Sequence, residues 1–221
     1  MSARQKVAIV IPAFNEAASI AAVVKSLSEY GTVIVVDDGS GDDTAKLARN
    51  AGAKVILHGN NRGYDAALAS GFAEAENLGA EAIVTFDADG QIKASGLPAV
   101  LEAIEMGPSE LVIGVRHNGA ARFAEALFNL YTRLRFKVPD ILCGLKGFRM
   151  QAYARHRDST AGNSINTALA LSLLREGAAF TTTPVEIVPR EGHSRFGGRW
   201  SANVRILRAL AGALREDILW R

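Results

Sequence analysis

Asp87, Asp89 and Gln91 follow one another closely at the end of the apolar run Ala82 to Phe86, with Gly90 between the second acid and the amide. The run reads as a buried strand, and alternation along an extended chain puts both carboxylates on one side as the chain leaves the sheet. Such a pair, with a neutral amide oxygen beside it and a glycine that lets the backbone approach, suits a hard divalent cation such as Mg²⁺ or Mn²⁺. The task of the ion would be to hold phosphate oxygens. The same residues also fit a plain polar turn, so the rest of the chain has to decide between the two.

Elements able to position this pair are legible on both sides of it. Lys6 to Ile11 reads as a strand ended by Pro12, and Ser19 to Tyr30 as a helix stopped by Gly31. Thr32 to Val36 is a second buried strand running into Asp37-Asp38-Gly39-Ser40, and Asp42 or Asp43 caps a helix reaching about Ala51. Ala53 to His58 is a third strand, Tyr64 to Leu78 a helix, Ser95 to Met106 another, and Glu110 to Gly114 a further strand. This alternation predicts an α/β fold with a mostly parallel central sheet and helices on both faces. Ligands of such sheets sit beyond the carboxyl ends of the strands, so the clusters Pro12 to Glu16, Asp37 to Ser40 and Asp87 to Gln91 should share one crevice.

The second half is less regular. Ala120 to Lys137 and Asn163 to Glu176 have helical spacing, and Ala179 to Val188 reads as extended. From Trp200 the apolar residues Val204, Leu207, Ala211, Leu214 and Ile218 mark an amphipathic helix that also carries Arg205, Arg208 and Arg215. We expect a single domain over 1–221, made of a regular half at 1–115, a less regular half at 116–198 and the amphipathic helix at 199–221.

The net charge of +2 hides a division. Residues 1–111 hold 8 Lys and Arg against 15 Asp and Glu, a net of −7, whereas residues 112–221 hold 17 against 8, a net of +9. Fifteen of the 18 arginines fall in the second half, and the planar arginine fork matches phosphate. The division fits an acidic half that holds a metal facing a basic half that holds phosphates, and it also fits a solvated surface with uneven charge. Aromatic residues do not interleave with these arginines, so nucleic acid is not the expected partner. The single cysteine, Cys143, excludes an internal disulfide and agrees with a reducing, cytoplasmic compartment. No apolar run reaches the roughly 20 residues that span a bilayer, which leaves peripheral docking as the expected form of membrane contact.

Together the stretches VAIVIPAFNEA, VIVVDDGSGDDT, NRGYDAALASGFAEA, IVTFDADGQ, GLKGFR and REGHSRFGG resemble, in order and spacing, the family 2 glycosyltransferases of GT-A (nucleotide-diphospho-sugar transferase) fold. Within them the chain is similar to the polyprenyl-phosphate sugar transferases typified by dolichol-phosphate mannose synthase. The resemblance implies an inverting enzyme that moves a sugar from a GDP- or UDP-linked donor to a lipid phosphate, with 1–115 as its nucleotide-sugar-binding half and 116–198 as its acceptor half. It also implies that Pro12, Glu16, Asp37 and Asp87 bind the donor, that Arg62 lines its site, and that Asp87, Asp89 and Gln91 hold Mg²⁺ or Mn²⁺. Asp89, Arg116, Arg149 and Arg195 then act on the reacting phosphates, and Arg149, Arg190, Ser194 and Arg195 receive the acceptor phosphate. Each arginine also fits a surface charge or an ion pair with a helix acid.

Relatives that glycosylate a hydroxyl place a carboxylate as base in the segment that reads here GNSINTALALSLLREG, which has Asn163 and Asn166 but no acid before Glu176. A phosphate acceptor is already anionic and needs no base. Asp140 is the spare candidate for one. Two departures from the pattern are Ile92-Lys93 after the glutamine, where relatives have His-Pro, and one residue fewer between Arg190 and Ser194. The amphipathic helix, with tryptophans near both ends, could lie on an anionic membrane, pack on the domain or form a homo-oligomer seam. Alternatives to the lipid acceptor are a soluble sugar or small molecule, and a non-catalytic nucleotide-sugar-binding protein of the same fold.

Overall fold

The structure is a computed structural model and describes residues 6–116, 122–157, 165–189 and 199–219. The first half builds β1 (Val7–Ala13), α1 (Ile20–Leu27), β2 (Thr32–Asp37), α2 (Thr44–Asn50), β3 (Lys54–Leu57), α3 (Tyr64–Asn77), β4 (Ala82–Thr85), α4 (Leu97–Glu105) and β5 (Leu111–Arg116). The second half adds α5 (Phe123–Phe136), β6 (Lys146–Arg149), α6 (Met150–His156), α7 (Ile165–Arg175), β7 (Phe180–Val185) and α8 (Arg199–Leu219). All seven strands form one sheet in the order β3-β2-β1-β4-β6-β5-β7. Only β6 runs against the others, pairing antiparallel with β4 and with β5.

Alternation divides each inner strand between two cores. Val7, Ile9, Ile11 and Ala13 of β1 pack with α1, α2 and α4 on one face, while Ala8 and Val10 pack with α3 and the helices of the second half on the other. Strands buried on both faces have near-continuous apolar sequences, which is why they were recognisable. Phe72 of α3, Phe148 of β6 and Tyr153 of α6 lock the second core, with the rings of Phe72 and Tyr153 edge to face at 5.1 Å.

Pro12 does not end β1 as expected; the strand continues to Ala13, pairing Pro12 with Val36 and Ala13 with Asp37. In a parallel ladder a residue's N–H and C=O point to the same neighbour. Val10 accepts from the Phe86 N–H at 3.0 Å, so Pro12 faces the same side, where β4 has already ended at Thr85. The missing donor therefore falls where no strand remains to pair with it. The stretch 86–91 is free to turn away from the sheet at that point.

Two elements escaped the sequence pattern: β6 and α6, both short and both within the segment holding GLKGFR. The direction of β6 decides where the ends of that motif lie.

Candidate active site

Three loops meet at the carboxyl ends of β1, β2 and β4. The loop after β1 is tied to the loop after β2: the Asn15 N–H donates to Ser40 Oγ at 2.8 Å, the Gly41 N–H to Asn15 Oδ1 at 2.7 Å, and the Glu16 N–H to Thr44 Oγ1 at 2.7 Å. Asn15 takes a left-handed φ of 53° to make this link. Asp42, rather than Asp43, organises the start of α2, accepting from the Thr44 N–H at 3.0 Å and from Ala17 at 3.2 Å. The Asp89 loop is stitched to α1 through Ser19, whose hydroxyl donates to the Ala88 carbonyl at 2.7 Å.

The two acids of the second motif do different work. Asp37 is buried and accepts from the Ser40 N–H at 2.7 Å, closing its own turn. Asp38 is equally buried and accepts from the N–H groups of Arg62 at 2.9 Å and Gly63 at 2.7 Å, with His58 Nδ1 at 2.7 Å. The neglected second acid is thus what brings the loop before α3 to the site. Arg62 itself is exposed. Pro12 is buried within β1, and Glu16 lies half-buried on the loop above it.

Asp87 and Asp89 do come together, although by a turn and not by strand alternation, since β4 ends at Thr85 and buried Ala88 separates them. Gly90 serves this turn through its φ of 73°; its Cβ position is open, with nothing nearer than 3.6 Å. Close approach is the role of Gly144 instead, where a Cβ would stand 2.0 Å from Asp87 Oδ2. The Gly144 carbonyl is pinned by the Thr85 hydroxyl at 2.7 Å and the Asn166 amide at 3.3 Å. Burial first, and then the charge of Asp89, push the Asp87 carboxyl up to about 6, against the pull of Lys146, Arg116 and the Tyr64 hydroxyl. Asp89 accepts from the Gln91 N–H at 3.0 Å.

Lys146, the first residue of β6 and close to this turn, is a buried lysine that no sequence signal announced. Its Nζ donates to the Cys143 carbonyl at 2.7 Å, and burial lowers its pKa to about 8 despite nearby Cys143, Asp140 and Asp87. Asn166 is buried at the start of α7, where its Nδ2 reaches Thr85 Oγ1 at 3.1 Å while its Oδ1 has no protein partner. Asp65 holds α7 in this position by accepting from the Ile165 N–H at 2.8 Å.

Arg116 lies at the end of β5 near this cluster but is engaged by protein carboxylates. Its Nε and Nη2 make a forked pair with Asp140 at 2.7 and 2.9 Å, and Glu125 is 3.6 Å away. Burial would raise the Asp140 carboxyl, yet the Arg116 guanidinium wins and holds it below its ordinary value. The carboxylate considered as a spare base is therefore committed to an ion pair.

Arg149 requires a correction. Because β6 is antiparallel, Lys146 pairs with Thr85 at the functional edge and Arg149 pairs with Ala82 at the far end of β4. There its guanidinium donates to the carbonyls of Ser109 at 2.9 Å and Gly107 at 2.6 Å. The motif GLKGFR thus presents Gly144 and Lys146 to the site, and strand direction carries Arg149 away from it. Arg190, Ser194 and Arg195 lie outside the described residues. The segment before them is fixed beside the metal-type turn: the Val188 N–H donates to the Gln91 carbonyl at 2.8 Å, and Ile92 bridges to Ile187.

The residues fit a divalent cation in part. Burial first, and the neighbouring Asp89 second, disfavour the ionised Asp87 carboxylate, and a cation beside the two acids would offset that cost. Among the described residues no group of three or more His, Cys, Asp or Glu could hold a metal, so most of the coordination sphere would fall to Gln91 and to the oxygens of a bound anion.

A sequence profile of the glycosyl transferase family 2 matches residues 8–156. The chain is 34% identical over 134 residues to the UDP-N-acetylglucosamine–dolichyl-phosphate N-acetylglucosaminyltransferase of Methanococcus voltae, a match covering 52% of this chain and 53% of that protein. It is 28% identical over 207 residues to the undecaprenyl-phosphate 4-deoxy-4-formamido-L-arabinose transferase of Aeromonas hydrophila, covering 86% and 63%. The chain therefore spans between about half and two thirds of the length of these relatives. Among solved structures, glucosyl-3-phosphoglycerate synthase of Mycobacterium tuberculosis, in complex with Mn²⁺, uridine diphosphate and phosphoglyceric acid, superposes with a TM-score of 0.72 at 20% identity over 96% of this chain and 80% of the other. That likeness fixes the fold as GT-A. The profile runs from the first strand of the sheet through α6 and takes in all three loops of the site, and on that ground the chain belongs to glycosyl transferase family 2.

Proposed function

We propose that the protein transfers a sugar, with inversion, from a nucleoside-diphosphate sugar to a polyprenyl phosphate. The observation that carries this reading is the Asp87–Asp89 turn, two carboxylates forced together at the meeting point of three loops, with Asp87 raised to about 6. Such a pair is unfavourable by itself and suits a metal-bound diphosphate. When bound, Mg²⁺ or Mn²⁺ supplies Lewis-acid neutralisation of the leaving diphosphate. Asp87, Asp89 and Gln91 would hold it. Glu16 and Asp37, on the loops beside this turn, would accept from the nucleoside, with Pro12 shaping the strand beneath.

The acceptor assignment rests on what the described carboxylates at this edge are doing. Asp38 holds the loop before α3, Asp65 holds α7 and Asp140 holds Arg116. On α7 it is Asn166, an amide and not an acid, that reaches the end of β4, donating to the Thr85 hydroxyl. An acceptor that arrives already ionised needs no base, and a phosphate monoester meets that condition. Lys146 and Arg116 would supply positive potential, and Arg190, Ser194 and Arg195 would receive the acceptor phosphate. The two relatives named for dolichyl- and undecaprenyl-phosphate support a lipid acceptor. A second reading, a soluble phosphorylated acid, is favoured by the fold neighbour crystallised with phosphoglyceric acid.

Thermal melts with UDP, GDP and dTDP, in Mn²⁺ and again in EDTA, test the donor site. One nucleotide should raise the melting temperature by about 5 °C or more at saturating concentration, and EDTA should remove the shift. No shift with any nucleotide would overturn the donor reading. Turnover with a polyprenyl phosphate against phosphoglyceric acid separates the two acceptors.

A further inference from the structure

α8 has two apolar faces, and only one of them is covered. Ile206, Ala209, Leu210 and Ala213 pack into the second core, and the face is fastened by Asp217, which accepts from the Tyr131 hydroxyl at 2.8 Å and from Arg175 Nε at 2.7 Å. The stripe picked out by helical spacing lies on the other face. Val204, Leu207, Leu214 and Ile218 are exposed, Ile218 by 75%. Neighbouring α5 repeats the arrangement, burying Ala124, Phe128 and Phe136 while exposing Phe123 by 74% and Leu134 by 70%, together with Leu130. Seven of the eleven exposed large hydrophobic residues of the described chain lie on these two helices, so the exposure is concentrated.

The charges on the same helices are sorted by sign. The three acids all pair with arginines of this chain, Glu125 with Arg122 and Arg116, exposed Glu216 with Arg175, and Asp217 with Arg175 and Arg135. Arg133, Lys137, Arg208 and Arg215 are exposed. At 100° per residue, Arg215 and Arg208 flank the α8 stripe directly on one side. The surface is therefore apolar with a basic border. A two-fold seam between copies would set arginine against arginine, whereas an anionic lipid surface complements the border and dissolves the stripe.

We propose that the exposed face of α5 and α8 docks on an anionic bilayer, with the apolar stripe in the acyl boundary and the basic border against lipid phosphates. Phe123 begins the stripe two residues before Glu125, which contacts Arg116 at the end of β5, so the docked face leads to the rim of the active site. The inference rests on the lipid-phosphate reading for its purpose and on these two helices for its substance.

Co-sedimentation with phosphatidylglycerol vesicles and with phosphatidylcholine vesicles tests it. Binding should be at least tenfold stronger to phosphatidylglycerol. The pair Arg208→Glu and Arg215→Glu, and separately the pair Leu134→Ser and Ile218→Ser, should each weaken it about tenfold or more, with unchanged melting temperature. The same variants should keep full turnover on a short, water-soluble polyprenyl phosphate and lose it on vesicle-embedded acceptor. Equal binding to both lipids, or none, overturns the surface. So does a dimer in sedimentation velocity that Leu134→Ser dissociates, which assigns the face to a second copy. Loss of all polyprenyl-phosphate turnover with vesicle binding intact would instead overturn the acceptor assignment and leave the surface standing.

Discussion

The two ends of the β4–β6 ladder hold the same kinds of residue in opposite states. At the far end, Arg149 caps the carbonyls of Gly107 and Ser109, while Arg155 pairs with Glu110 at 2.9 Å and Glu176 at 2.7 Å. Each of these charged groups makes two or more hydrogen bonds within the protein. At the functional end, two acids share one turn, the lysine beside them is buried with a single carbonyl, and the Asn166 amide oxygen has no protein partner. One sheet therefore separates charges paired outright within the protein from like charges crowded together beside a buried lysine. Residues of the second kind are where a ligand would complete the structure.

The sharpest way to break this contrast is Asp87→Asn, which removes one charge from the functional end while keeping the shape. Turnover should fall about a hundred- to thousandfold, since the site loses one of its two ionised groups. Stability without ligand should move the other way. With the folded value raised from 3.8 to about 6, the folded protein holds a proton that the unfolded chain has released between those pH values. Stability consequently falls as pH rises through this window, and the cost of the ionised carboxylate is complete above about 6. Asp87→Asn should melt above the wild type at pH 7.5 and equal to it near pH 4, as scanning calorimetry would record. A lower melt at pH 7.5 would mean that Asp87 is satisfied after all.

Gly144→Ala sharpens the contrast from the backbone side. A Cβ 2.0 Å from the Asp87 carboxylate must displace either that side chain or the pinned Gly144 carbonyl. An overpacking cost of about 1–3 kcal/mol follows, a drop on the order of 5 °C in melting temperature, with turnover lowered alongside. Full activity would show that the carboxylate need not stand where it does.

What the sequence could disclose follows the same division. The strands, helices and three polar loops of the first half were legible because each is specified locally, by an apolar run or a helical spacing followed by turn residues. Asp87 and Asp89 were legible as a pair for that reason, although the turn, not the strand, brings them together. The direction of β6 was not, because an antiparallel strand inserted between β4 and β5 is fixed by non-local pairing. That single fact exchanges Arg149 for Lys146 at the site. Nor does spacing distinguish Asp37, which closes its own turn, from Asp38, which recruits the loop before α3. The α8 stripe was found by its period, but periodicity does not say which apolar face meets the core.

Arg149→Met gives the smallest expected effect and bears most directly on the exchange. The side chain would lose two charge-assisted hydrogen bonds to carbonyls at the satisfied end, a cost of about 1–3 kcal/mol that a thermal melt would register. The kcat/KM of the folded enzyme should stay within about twofold of wild type, because a group at the amino end of β4 cannot touch phosphates at its carboxyl end. Lys146→Met should do the opposite, lowering kcat/KM by removing the cation beside Asp87. A tenfold loss of kcat/KM in Arg149→Met, measured well below its melting temperature, would place that arginine back at the substrate and with it reverse the direction inferred for the strand.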